Sequence, residues 1–89
     1  MDETSTDLEG RRRRLLFRAQ HRGTRETDIL VGGFVASRLA RFTEAEISAL
    51  EAIIQLPDTW LADWLTGRTP IPAEHDNAVL RAMRDARGI

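Results

Sequence analysis

Apolar positions recur at three- and four-residue spacing along most of the chain, and no stretch shows the period-two alternation of a half-buried strand. The pattern predicts an all-α fold, a compact single-domain five-helix bundle. A first helix is expected over about 8–20, with Leu8, Leu15, Leu16 and Ala19 on one face and arginines on the other, broken at Gly23. A second, over about 25–41, carries a stripe of Val31, Val35, Leu39 and Phe42 widened by Leu30 and Phe34, and reads as the most buried helix. Within it Gly32 and Gly33 each cost about 1 kcal/mol relative to Ala, so either a neighbouring helix approaches closely there or the helix bends.

The third helix has the clearest start: Thr43 and Glu46 are spaced as a capping box, and Phe42 can pack on Ile47 as a hydrophobic staple. Ile47, Leu50, Ile53 and Ile54 supply its buried face, and Pro57 ends the run. A short fourth helix over about 58–66 brings Trp60, Leu61, Trp64 and Leu65 to one face, which places both tryptophans in or near the core, with Gly67 as a left-handed cap. After Pro70-Ile71-Pro72 a last helix over about 73–86 turns Val79, Leu80 and Met83 inward and carries Arg81, Arg84 and Arg87 toward its negative end. The domain is expected to cover residues 11–87, with residues 1–10 as a mobile acidic tail.

Composition narrows the function classes. Cysteine is absent, which removes disulfides, thiolate ligands and cysteine nucleophiles, and the two histidines, His21 and His75, lie far apart without a cluster of spaced carboxylates, so no metal site is expected. No run approaches the roughly 18 apolar residues of a membrane span, and no direct membrane insertion is expected. The acidic start has neither an apolar signal-peptide core nor the Arg-rich, acid-poor character of a transit peptide, which points to a bacterial cytoplasmic protein.

Net charge is only −1, but its distribution is uneven. Every cationic side chain is Arg: residues 11–25 hold Arg11, Arg12, Arg13, Arg14, Arg18, Arg22 and Arg25 without an acid, whereas residues 44–63 hold Glu44, Glu46, Glu51, Asp58 and Asp63 without a base. An electropositive and an electronegative end are expected. The arginine run invites a nucleic-acid reading. Near-neutral total charge, the adjoining acidic tail and the lack of a groove-reading motif count against it, and a docking surface for an acidic partner explains the same residues. A small Arg-rich nucleic-acid-binding or regulatory module stands as the alternative, with a helical domain dimerising through Trp60 and Trp64 as a third reading. Enzyme chemistry has little to stand on. Gly32-Gly33 lacks the spacing of a phosphate loop, and His21 reads as a solvated side chain with no orienting partner.

The most unusual string is Arg22-Gly23-Thr24-Arg25-Glu26, where two helices are expected to meet. Local physics explains it plainly: Gly23 permits a tight connection, Glu26 suits the positive start of the second helix, and Arg22 and Glu26 are close enough to pair. In context, however, Arg13-Arg14-Leu15-Leu16-Phe17-Arg18, then Arg22-Gly23-x-x-Glu26-x-Asp28, then Phe34, closely resembles the small flavinylation factors of succinate dehydrogenase. The resemblance continues through the capped helix from Thr43 and the segment Pro57-Asp58-Thr59-Trp60-Leu61-Ala62-Asp63-Trp64-Leu65-Thr66-Gly67, covering roughly residues 11–84. Thr24, often Met in that family, and Thr27, often apolar, depart from the usual pattern.

The resemblance implies a five-helix assembly factor, itself not an enzyme. Such a factor binds the flavoprotein subunit of succinate dehydrogenase, and sometimes fumarate reductase, and promotes covalent attachment of FAD. It implies that Arg22, Gly23 and Glu26 face the partner, with Arg14, Arg18 and Asp28 as neighbours. FAD would be handled on the partner subunit, whose own histidine receives it, so no tightly bound cofactor is expected here, and the chain is expected to act as a monomer.

Overall fold

The computed structural model describes residues 3–86, with side chains from Asp7 onward, and shows five α-helices and two single 3₁₀ turns and, among the described residues, no strand. Helix α1 spans Glu3–Gln20, α2 Arg25–Arg38, α3 Glu44–Ile53, α4 Asp58–Leu65 and α5 Ala78–Ala86. The all-α expectation holds, and the differences lie at element ends. The first helix begins at Glu3 rather than near Leu8, so Glu3 to Gly10, read as a tail, lie within α1, while residues 1 and 2 fall outside the described ones. Leu8 rests half-buried on the core.

Helix α1 packs mainly on α2 and also on α3, and α2 in turn meets α4 and α5. The core they enclose draws Leu15 and Ala19 from α1, Val31, Phe34 and Val35 from α2, and Ile47, Leu50 and Ile53 from α3. Leu61, Trp64 and Leu65 of α4 close it from one side and Leu80 and Met83 of α5 from another. Gly32 is explained by the α1–α2 crossing, because a Cβ there would stand 3.0 Å from the Ala19 carbonyl oxygen. Close approach, not a bend, is its reason.

The expected end of the second helix is corrected. Its α-helical part stops at Arg38 and residues 39–41 tighten into a 3₁₀ turn. The Arg12 guanidinium holds that turn, donating to the carbonyls of Leu39 and, at 2.7 Å, Phe42. The capping box of α3 is present as expected: the Glu46 N–H donates to Thr43 Oγ1 at 3.2 Å and the Thr43 N–H to Glu46 Oε1 at 2.8 Å. Gly67 takes the left-handed conformation at φ +79°. Of the two tryptophans only Trp64 is buried. Trp60 is 46% exposed, its ring leaning on Trp64 and His75 at the edge of the core, because the two-turn α4 buries only the stripe of Leu61, Trp64 and Leu65. The last segment also divides, with a 3₁₀ turn at Ala73–His75 and α5 starting only at Ala78, where Asn77 Oδ1 accepts the Leu80 N–H at 2.8 Å. Arg87, read as part of the last turn, lies outside the described residues.

Candidate functional site

The Arg-Gly-x-x-Glu string forms the turn from α1 into α2. Gly23 is exposed at φ +113°, a left-handed conformation that glycine adopts without a Cβ penalty, and this turns the chain through the corner. Thr24 then caps α2, its Oγ1 accepting the Thr27 N–H at 3.2 Å. Thr27 is fully buried, and its hydroxyl is satisfied by Thr24. The two departures from the resembled pattern therefore serve the same cap. Glu26 and Asp28 sit in the first turn of α2, where negative charge is favoured by the helix dipole.

Arg22 points inward, not outward. Its side chain is only 7% exposed. Nε donates to Asp58 Oδ1 at 2.6 Å, while the two terminal nitrogens donate to the carbonyls of Ile54 at 2.5 Å and Leu56 at 2.6 Å. Its backbone N–H donates to Asp28 Oδ1 at 2.6 Å. The Arg22–Glu26 pair that the spacing allows is replaced by Arg22–Asp58. Sequence reading missed Asp58, which lies 36 positions away from Arg22. Glu26 stays exposed.

The two charge poles read from the sequence meet in space at two residues, Arg11 and Arg22, which pair with acids of the second block. Arg11 lies against the acidic α3, Nε donating to Glu51 Oε2 at 3.0 Å and one terminal nitrogen to Glu51 Oε1 at 2.8 Å, with Ser48 and Glu44 beside them. This bidentate pair holds the Glu51 carboxyl below, and the Arg11 guanidinium above, their ordinary values, the hydrogen bond being the main cause in each. Arg12 is bound to carbonyls, as described above. Only the remainder of the run faces out: Arg13, Arg14, Arg18 and Arg25 are exposed, and among the described residues only Arg14 of these has an ion-pair partner, Asp7 at 4.0 Å.

Beside the turn, Phe17 is 63% exposed and stacks on His21 with ring centroids 4.2 Å apart. The His21 Nδ1 lies 2.7 Å from the Phe17 carbonyl, which fixes the proton on that nitrogen. Together with Arg18, Arg22 and Ile54 these rings line a recess of about 240 Å³ at the foot of the turn. Phe17 and His21 were not singled out as site residues. Spacing gives a reason to look twice at Phe17, since it lies off the α1 stripe of Leu8, Leu15 and Ala19. The structure thus gathers Phe17, Arg18 and His21 around the recess beside the turn, leaves Gly23 and Glu26 exposed on the turn and the start of α2, and turns Arg22 inward. Among the described residues no group of acids and histidines is arranged to hold a metal.

The family model Sdh5, flavinator of succinate dehydrogenase, matches residues 13–87. The chain is 52% identical over 77 residues to the FAD assembly factor SdhE of Acetobacter pasteurianus, covering 86% of this chain and 71% of that protein. It is 27% identical over 79 residues to the mitochondrial succinate dehydrogenase assembly factor 2 of Dictyostelium discoideum, covering 89% and 56%. With the mitochondrial assembly factor 2-A of Drosophila ananassae it shares 32% identity over 80 residues, covering 88% and 51%. The chain therefore spans little more than half the length of these mitochondrial relatives. No solved structure matches it. With the family model covering nearly the whole described bundle, the chain belongs to the Sdh5 family, the flavinators of succinate dehydrogenase.

Proposed function

We propose that this chain docks on the flavoprotein subunit of succinate dehydrogenase through the outward face of the α1–α2 turn and promotes covalent attachment of FAD there. It is an assembly factor, not an enzyme, in keeping with its family. The observation that carries the site is the exposed left-handed Gly23 with Glu26 one turn beyond it, a corner where backbone can approach a partner closely. Arg14 and Arg18 add outward cations for carboxylates on the partner, and Glu26 offers a carboxylate for a cation or N–H donor. Arg22 and Asp28 belong to the site by holding this corner from behind.

The reacting histidine and the flavin both lie on the partner, and the factor contributes geometry. Holding reacting groups in a near-attack arrangement removes up to about 7–11 kcal/mol of barrier in favourable cases without donating a catalytic group. Fumarate reductase is a second client under the same reading, and the docking unit is a single copy of the chain in the bacterial cytoplasm. Among the described residues no helix is long and apolar enough to cross a membrane. Against the nucleic-acid reading, Arg11 and Arg12 of the run are bonded within the fold and are spent there, which leaves fewer cations for phosphates.

Co-expression of the flavoprotein subunit with and without this chain tests the reading, by the fraction of FAD that stays bound after denaturation. We expect a rise with the wild-type chain that is lost with Glu26→Ala and with Gly23→Leu. The glycine variant also strains a left-handed residue, so the glutamate variant decides the contact. No complex and no change in covalent flavin, with a folded chain, would overturn it.

A further inference from the structure

We propose that Asp58 is a positioning residue of the docking corner: through Arg22 it locks the α1–α2 turn to the junction of α3 and α4, without itself meeting the partner. The inference rests on the docking reading above. Arg22 lies between two favourable electrostatic features. The carbonyl of Ile54, the C-cap of α3, lies at that helix's negative pole, where terminal carbonyls lack intrahelical partners, and the carbonyl of Leu56 lies in the turn just beyond it. Asp58 opens α4, where a carboxylate suits the positive pole.

One guanidinium therefore answers both helix ends, and the same residue's N–H is tied to Asp28 in α2. With three directed bonds made and only 7% of the side chain exposed, Arg22 has little left to offer a partner. Its place in the Arg-Gly-x-x-Glu string is explained by what it holds. Directly after it comes Gly23, whose permissive backbone gives the turn no rigidity of its own. Asp58 approaches this glycine too, since a Cβ at Gly23 would stand 3.8 Å from Asp58 Oδ2.

The test measures the affinity of the purified chain for the flavoprotein subunit, at a temperature where every variant is folded. Asp58→Ala and Arg22→Ala are each expected to weaken docking at least tenfold, and the double variant to be no weaker than the poorer single one, as for residues acting as one unit. Arg22→Lys should fare like Arg22→Ala, because a lone ammonium cannot make the three directed bonds. Asp58→Asn, which keeps an oxygen acceptor for Nε, should recover part of the loss. Glu26→Ala should multiply with Asp58→Ala.

Leu50→Ala supplies the control for a merely structural role. It should lower the melting temperature at least as much as Asp58→Ala, yet leave docking within twofold of wild type. In the free chain, amide exchange at Arg22 should accelerate in Asp58→Ala more than in Leu50→Ala. Wild-type affinity for Asp58→Ala, beside a weakened Glu26→Ala, would overturn the positioning role and leave the docking reading standing. Failure of the wild-type chain to bind at all would overturn both.

Discussion

A methyl group added at Gly32 would stand 3.0 Å from the Ala19 carbonyl oxygen and 3.1 Å from the Gln20 Cα, whereas one added at Gly33 meets nothing within 4 Å. Gly33→Ala is therefore expected to stabilise the fold by about 1 kcal/mol, the helix-propensity difference, while Gly32→Ala should destabilise it by forcing α1 and α2 apart. Thermal unfolding of the two variants checks both signs. In the sequence these neighbours look alike, because only the position of α1 separates them. Arg22 was likewise legible as important but not as inward, since Asp58, Ile54 and Leu56 lie 32 to 36 positions further on. What the string does disclose locally, the turn at Gly23 and the acids opening α2, is what the structure retains.

Among the helices, those with local start and stop chemistry were readable to within a residue or so. Thr43 and Glu46 mark the start of α3, and Pro57 and Gly67 bracket α4. Thr43→Ala should cost about 1 kcal/mol, with faster amide exchange confined at first to the opening turn of α3. The end of α2 and the start of α5 were less legible for different reasons. The first is set by Arg12 reaching from α1 to the carbonyls of Leu39 and Phe42, which no local pattern announces. The second has a local signal, Asn77 as the cap of the helix, that competed with the prolines, whose end at Pro72 placed the start at Ala73. Trp60 follows the same logic, since spacing puts it with Trp64 but cannot say where a two-turn helix meets the edge of the core.

Across the whole molecule, cations of α1 and its turn are paired with acids of α3 and α4, and the Arg11–Glu51 pair makes the α1–α3 seam acid-sensitive. The folded Glu51 carboxyl titrates below its ordinary value because of Arg11. Its contribution to stability is thus fully present above the unfolded glutamate value and is lost as pH falls through the folded one. Glu51→Gln should flatten this acid limb of a stability–pH profile measured by urea unfolding, with less difference from wild type once both are below that range. The sequence displays the two blocks of charge but presents them as opposite poles, because their pairing depends on how the helices fold back on one another.

The bonds that fix the first helix and its turn run forward along the chain: Arg12 to Leu39 and Phe42, Arg11 to Glu51, and Arg22 to Asp58. During synthesis, which proceeds from the N-terminus, α1 and α2 can leave the ribosome with these arginines still hydrated. Only when Asp58 has emerged can the proposed docking corner take its final shape. A chain cut short before that residue would carry the full Arg-Gly-x-x-Glu string and yet lack the clasp that sets it, so that the final shape of this turn waits for three complete helices and the first residue of the fourth.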